Sequence, residues 1–207
     1  MAAYLMTHSL LSSWLYSLRE NPYEDMETEK DAREEFLKVL RREPTEVTEA
    51  MQNGNDFEAL VTKILTGNAG TAFAFEPKWY DAASAVASEL RGAQLQFSVS
   101  KRVLIAGQEY VLHGRFDALR AGVISDIKFS KSYEKGKYFD STQHPMYMFL
   151  MPTAREFTYI VSNGSGVWHE TYTREETRDI FPIITAFLSW LEDAGLLELY
   201  RKHWVAK

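Results

Sequence analysis

The chain has 207 residues, enough for one domain with a sizeable core, and 45% hydrophobic with 25% charged residues is the composition of a soluble globular protein. It contains no cysteine, which excludes disulfides, iron–sulfur clusters and cysteine-ligated zinc and leaves hard-cation sites open. The net charge of −6 argues against a protein that coats nucleic acid without specificity.

The charge is unevenly spread. Residues 19–49 carry eleven acids against six bases, so the remainder, with 17 bases and 18 acids, is nearly neutral. Within it, Lys128, Lys131, Lys135 and Lys137 face only Glu134 across ten residues. Local potential governs binding to phosphate, so a narrow basic site stays compatible with an acidic chain. No apolar run approaches the length of a bilayer span, and a membrane partner is not expected. The N-terminus lacks a basic start and a small-residue cleavage site, so it reads as an amphipathic helix and the protein as cytoplasmic.

In chain order, residues 1–90 read as mainly helical. Leu10, Leu11, Trp14, Leu15 and Leu18 recur at helical spacing. The same period runs from Thr28 to Arg42 through Phe36, Leu37 and Leu40, and Pro44 stops it. Helices are also expected from about Asp56 to Leu65, before Gly67, and from Tyr80 to Leu90. Residues 91–207 carry the sheet. Leu95 to Val99 alternates, Arg102 to Ile105 is a short apolar run, and Tyr110 to Leu119 and Val123 to Phe129 flank an Arg120-Ala-Gly122 turn. A lysine-rich loop leads to a short helix from Thr142 to Leu150. Phe157 to Ser162 and Val167 to Tyr172 flank Asn163-Gly-Ser-Gly as another hairpin. Thr173 with Glu176 forms a capping box for a last helix bearing Ile180, Ile184, Phe187, Leu188 and Leu191. This order predicts a single α+β domain over residues 1–207.

The chemistry concentrates in His113-Gly-Arg-Phe-Asp-Ala-Leu-Arg-Ala-Gly-Val-Ile-Ser-Asp-Ile-Lys-Phe-Ser130. Asp117 ends one expected strand and Asp126 lies on the next. Lys128, two residues beyond Asp126, shares its face of the sheet. A tight turn brings the carboxylates near each other, where they repel unless a positive charge intervenes. Mg2+ or Mn2+ is the simplest such charge, since both favour oxygen ligands. Such an ion can hold a phosphate and acidify a water, while Lys128 orients that water or neutralises the phosphate.

Gly114-Arg-Phe-Asp117, Asp126-Ile-Lys128 and Gln143-His-Pro-Met-Tyr147 resemble the GxxD, (D/E)xK and QxxxY motifs of RecB-like nucleases of the PD-(D/E)XK superfamily. Their order and spacing match the family, and Gly54-Asn-Asp-Phe-Glu58 resembles its first-helix motif, in which a Gly precedes a metal-binding His or Glu by four. A weaker echo is Thr7-His-Ser9 followed by Asn21-Pro22; some members place a cluster-binding cysteine where Asn21 stands, so no iron–sulfur cluster is expected.

The resemblance implies a restriction-endonuclease-like core, a central mixed sheet flanked by helices, behind a helical N-terminal region. It implies metal ligation by Asp117, Asp126, Glu58 and the Ile127 carbonyl, with Lys128 completing the catalytic set. It places Gln143 and Tyr147 toward DNA, Gln143 fixing the active-site lysine or the phosphate geometry and Tyr147 contacting the DNA backbone, with Lys131, Lys135, Lys137 and Arg115 as further phosphate contacts. The activity implied is that of an exonuclease acting on DNA ends in recombination, repair or phage DNA processing, either alone or as the nuclease subunit of an assembly, with a recombination protein as a second candidate partner. A catalytically inactive DNA-binding or scaffold subunit on the same fold is the alternative. Oligomeric state and cleavage polarity are left open. His113, His144, His169 and His203 show no spacing that nominates a zinc site.

Overall fold

The computed structural model of the protein describes residues 2–19, 26–67 and 78–206, with only the backbone described for residues 26–31. Asn21 and Pro22, the end of the weaker N-terminal echo, lie outside the described residues.

The chain opens with a strand, β1 (Tyr4–Thr7), and not with a helix as expected. Tyr-Leu-Met-Thr favours extended backbone, and β1 pairs parallel to residues 110–113 of a strand far along the chain, with Tyr4 opposite Tyr110. Thr7 then caps α1 (His8–Ser17), its hydroxyl accepting the Leu10 amide at 3.3 Å. Next come α2 (Met26–Arg41), α3 (Glu49–Leu65) and α4 (Tyr80–Glu89). α3 begins seven residues before the expected Asp56, because Thr48 supplies an N-cap that accepts the Met51 amide.

The two apolar runs at residues 95–99 and 102–105 form one strand, β2 (Gln94–Ile105), which pairs antiparallel with β3 (Gln108–Arg120). Ala106 and Gly107 join them at positive φ, and Ala121 and Gly122 do the same between β3 and β4 (Val123–Phe129). Positive φ at both central positions is the signature of the tight turn whose twist suits a hairpin. α5 (Gln143–Leu150) follows the lysine loop, then β5 (Glu156–Ser162), β6 (Val167–Thr173), α6 (Phe181–Asp193) and α7 (Leu197–His203).

The expected Thr173–Glu176 box does form: Glu176 accepts the Thr173 amide and hydroxyl, both at 2.9 Å. It closes a turn and not a helix. Pro182 has no amide to bond the carbonyl four residues back, and its ring would clash with a helix arriving from Glu176. Helix α6 therefore restarts at Phe181, whose amide bonds to Asp179 at 3.0 Å.

The sheet order is β1-β3-β4-β5-β6, with β2 also on β3. β4 and β5 run parallel and β5 and β6 antiparallel, so the sheet is mixed. One face carries the larger core, where Leu10, Trp14, Phe36, Leu112, Phe116, Phe157 and Phe187 are buried beneath α1, α2, α5 and α6. The other face carries a smaller core of Phe57, Val61, Ala83, Val86 and Ile160 beneath α3 and α4. This is the expected α+β arrangement of a mixed sheet flanked by helices. Among the described residues, no helix is long and apolar enough to cross a membrane.

Candidate active site

β3 is longer than any of its neighbours, and that length creates the site. β2 pairs along residues 108–119. On the opposite edge, β1 takes residues 110–113 and β4 takes only Ala118, Leu119 and Arg120, opposite Ser125, Ile124 and Val123. Residues 114–117 are thus left unpaired between β1 and β4. Continuing the β3–β4 register by one step would put Asp117 opposite Asp126. The ladder stops there, and Asp117 Oδ2 accepts the Ile127 amide at 2.8 Å. The two acids sit where the strands splay.

Gln96 on β2, which would oppose Asp117, lies outside the ladder at φ +52°. That conformation costs a non-glycine residue about 1–2 kcal/mol. It sends the Gln96 side-chain amide to Glu58 Oε1 on α3, 2.7 Å away. The pairing of β3 is therefore interrupted on both sides at Asp117.

Asp126 is buried, with 3% of its surface exposed. Its Oδ1 accepts the Gln143 side-chain amide from α5. Its Oδ2 has no hydrogen-bond partner, and the opposite charge nearest it is the Lys128 ammonium at 2.7 Å. We read that contact as an ion pair out of line for a hydrogen bond. The Asp117 carboxyl is pushed up to about 8, first by burial and then by the charges of Asp126 and Glu58, against the pull of the Ile127 amide and Lys128. The cluster holds more negative charge than Lys128 balances.

A hard divalent cation fits this donor set. Among the described residues, no three acidic or histidine side chains form a ready-made metal cage. Mg2+ commonly uses only one or two carboxylates and takes its other ligands from water and substrate phosphate. Asp117 and Asp126 could supply such a pair, and the unpartnered buried oxygen of Asp126 is a donor atom without a proton to accept. Glu58 stands close enough to act on Asp117 electrostatically, but here its carboxylate is engaged by Gln96. Ile127 meets Asp117 through its amide.

Gln143 and Tyr147 share one face of α5, as their spacing requires, but that face points into the protein. Gln143 is 5% exposed and Tyr147 3% exposed. The Tyr147 hydroxyl donates to the Arg115 carbonyl at 3.0 Å, within the stretch that neither β1 nor β4 pairs. In this structure Gln143 holds Asp126, and Tyr147 braces β3. Gly114 explains why the strand tolerates this, since a Cβ there would lie 2.6 Å from Tyr147 Cε1.

Arg115 is exposed and lines an open groove with Asn55, Glu58, Thr62, Lys63 and Gln96. Lys131 and Lys135 are exposed on the loop. Lys137 is tied back, donating to Ser130 Oγ at 2.6 Å and to the Ser132 carbonyl at 3.1 Å.

Three neighbours of the site escaped nomination from sequence. His8, at the start of α1, meets Tyr147 edge-on at 5.2 Å, and burial together with Lys128 lowers its pKa to about 3, so it stays neutral. Tyr159 on β5 lies 5.9 Å from the Lys128 ammonium, and Tyr138 stacks on Tyr159 at 4.4 Å. The only signal for His8 was its place in the Thr7-His-Ser9 echo; the two tyrosines carried none.

No family profile matches the sequence, and no curated protein matches it. Among solved structures, the crystal structure of SSO0001 is similar, with a TM-score of 0.53 at 15% identity, covering 93% of this chain and 78% of that one. The structure of Rai1 from Scheffersomyces stipitis aligns over 93% of this chain and 61% of that one, with a TM-score of 0.38 and 16% identity, too low to bear on the fold. At this level of identity the first likeness concerns fold alone, and what it establishes is that nearly the whole chain adopts a known α+β arrangement of a mixed sheet flanked by helices.

Proposed function

We propose that the protein is a Mg2+- or Mn2+-dependent deoxyribonuclease that hydrolyses phosphodiester bonds at DNA ends. The observation that carries this reading is the splay of β3 from β4 at Asp117 and Asp126, with Lys128 against a buried carboxylate oxygen that lacks a hydrogen-bond partner. When bound, a divalent cation would polarise the scissile phosphate and lower the pKa of an attacking water.

The chain's own residues do the rest. Gln143 fixes Asp126 through Oδ1 and leaves Oδ2 turned to the site. The Ile127 amide fixes Asp117. Lys128 supplies positive charge where the phosphate gains negative charge in the transition state. Arg115 and Lys63 flank the groove beside Glu58 and offer phosphate contacts that position the backbone without reading bases. Burial of Asp126 keeps these charges in a low dielectric, where they act strongly.

The test uses end-labelled linear duplex, covalently closed circular duplex and single-stranded DNA, each with Mg2+, Mn2+ or EDTA. Label release from linear DNA, with circles intact and EDTA abolishing the reaction, is expected. Nicking of circles would replace the exonuclease by an endonuclease. Inertness toward every substrate would favour a non-catalytic DNA-binding or scaffold role.

A further inference from the structure

Strand β2 changes sides at Gln96. Leu95 packs against the smaller core, whereas Phe97, two residues on, packs against the larger one. In a regular strand residues two apart share a face. β3 does the same opposite, with Phe116 in the larger core and Ala118 in the smaller. Gln96 takes up the turnover by adopting φ +52°. Arg42, Trp79, Ala106 and Ala121 also have positive φ, but they sit in turns or at a helix end. Among the described residues, Gln96 is the one non-glycine residue that adopts it inside a strand.

The backbone explains the conformation and not the residue. Glycine would take this φ without strain, and asparagine tolerates it better than most side chains. Glutamine has neither advantage; what it adds is reach. Its side-chain amide donates to Glu58 Oε1 on α3 at 2.7 Å. The residue before Glu58, Phe57, seats α3 on the sheet, fully buried and 5.3 Å from the Phe129 ring of β4. Glu58 is thereby held half-buried, near enough to Asp117 for its charge to act on that carboxyl. An amide is neutral, so it fixes the carboxylate and leaves the negative charge in place. A lysine at the same position would neutralise it.

We propose that Gln96 is a positioning residue for the divalent cation, holding Glu58 as an outer carboxylate that draws the ion toward Asp117 and Asp126 without ligating it directly. Among the described residues no three acidic or histidine side chains form a cage, so Glu58 does not close one with the two aspartates. Mg2+ dehydrates reluctantly and keeps several of its waters. A carboxylate fixed just outside those waters still attracts the ion, and more strongly in a partly buried site than in bulk solvent. The proposal rests on reading Asp117 and Asp126 as the cation site.

The experiment titrates Mn2+ into the full chain without DNA and follows binding by calorimetry, with circular dichroism to show that each variant is folded. Gln96→Gly and Gln96→Asn both suit the backbone, but the first lacks the amide and the second is one methylene short of Glu58. Each should weaken Mn2+ binding by about ten-fold or more. Glu58→Gln should weaken it comparably, and in that background Gln96→Gly should cost no more than about two-fold further, roughly the scatter of such cycles. Unchanged Mn2+ affinity in Gln96→Gly would overturn the proposal, because the amide would then serve the fold alone. So would a full loss that persists in the Glu58→Gln background, since Gln96 would then act by a route other than Glu58. Asp126→Ala separates this proposal from the reading beneath it. If Asp126→Ala binds Mn2+ as wild type does, the cation site is misassigned and the role of Gln96 falls with it. If Asp126→Ala loses Mn2+ while Gln96→Gly binds as wild type does, the cation site stands and the role of Gln96 alone fails.

Discussion

Replacing Gly114 by Ala places one methyl group where the structure has none to spare. Its carbon would lie 2.6 Å from Tyr147 Cε1, 2.9 Å from Cδ1 and 3.1 Å from Leu150 Cδ1. Ordinary carbon contacts fall near 3.5–4.0 Å, so the tyrosine ring must retreat by about an ångström. It has nowhere to go. The ring packs against Phe116 at 4.7 Å, Phe157 at 5.9 Å and His8 at 5.2 Å, and its hydroxyl is bonded to the Arg115 carbonyl. Glycine in a strand is otherwise worse than alanine by roughly 0.5–1 kcal/mol, so the backbone alone predicts a stabilised variant. Overpacking costs about 1–3 kcal/mol, and losing the hydroxyl bond adds about 1 kcal/mol. The clash wins, and Gly114→Ala should destabilise by about 2–3 kcal/mol in urea unfolding. The cause is checked by a double-mutant cycle with Tyr147→Leu, which removes the offending ring atoms. In that background the cost of Gly114→Ala should fall below about 1 kcal/mol, since coupling is expected only between touching residues. Equal costs in both backgrounds, or a stabilised Gly114→Ala, would refute the packing argument.

Gln143→Leu should leave the buried Asp126 carboxylate without its side-chain donor, destabilise the protein by about 1–3 kcal/mol, and weaken Mn2+ binding measured by calorimetry. Tyr147→Phe should cost about 1 kcal/mol of stability and leave DNA affinity unchanged in an anisotropy titration, because the hydroxyl serves the Arg115 carbonyl. The Asp117 carboxyl has an ordinary value of 3.8 when unfolded and about 8 when folded, so the native state keeps a proton that the unfolded chain releases. The sign follows: metal-free stability should fall as pH rises through that interval. Asp117→Asn should flatten the dependence of melting temperature on pH, and saturating Mn2+ should flatten it in the wild type.

The hairpin from Gly114 to Lys128 was legible because local sequence determines it. Ala121-Gly122 dictates a two-residue turn, the turn sets the register, and the register brings Asp117 and Asp126 together with Lys128 on the face of Asp126. The expected α+β class followed from the order of periodic segments. β1 was not legible, because four residues pair with a strand more than a hundred positions away and their apolar run continues into α1. Gln143 and Tyr147 were correctly placed on one helix face, but periodicity does not say which way that face points. Gly114 held the missing clue: a glycine inside a strand marks a close approach, and here Tyr147 approaches. Glu170 escaped notice because a lone acid on a strand gives no sign that four donors from one loop and a neighbouring tyrosine will meet it.

The most direct measurement is the rate at which wild type and Asp126→Ala release label from end-labelled linear duplex, at matched concentration with excess protein and Mn2+. Asp126 is the carboxylate that Gln143 orients and Lys128 faces, and its removal would take from the proposed ion both charge and a fixed oxygen. Circular dichroism should show Asp126→Ala folded, since deleting a buried acid relieves charge repulsion with Asp117. A folded variant whose cleavage falls by at least about a hundred-fold is expected. A folded Asp126→Ala that cuts as fast as wild type would contradict the assignment of the catalytic centre to Asp126.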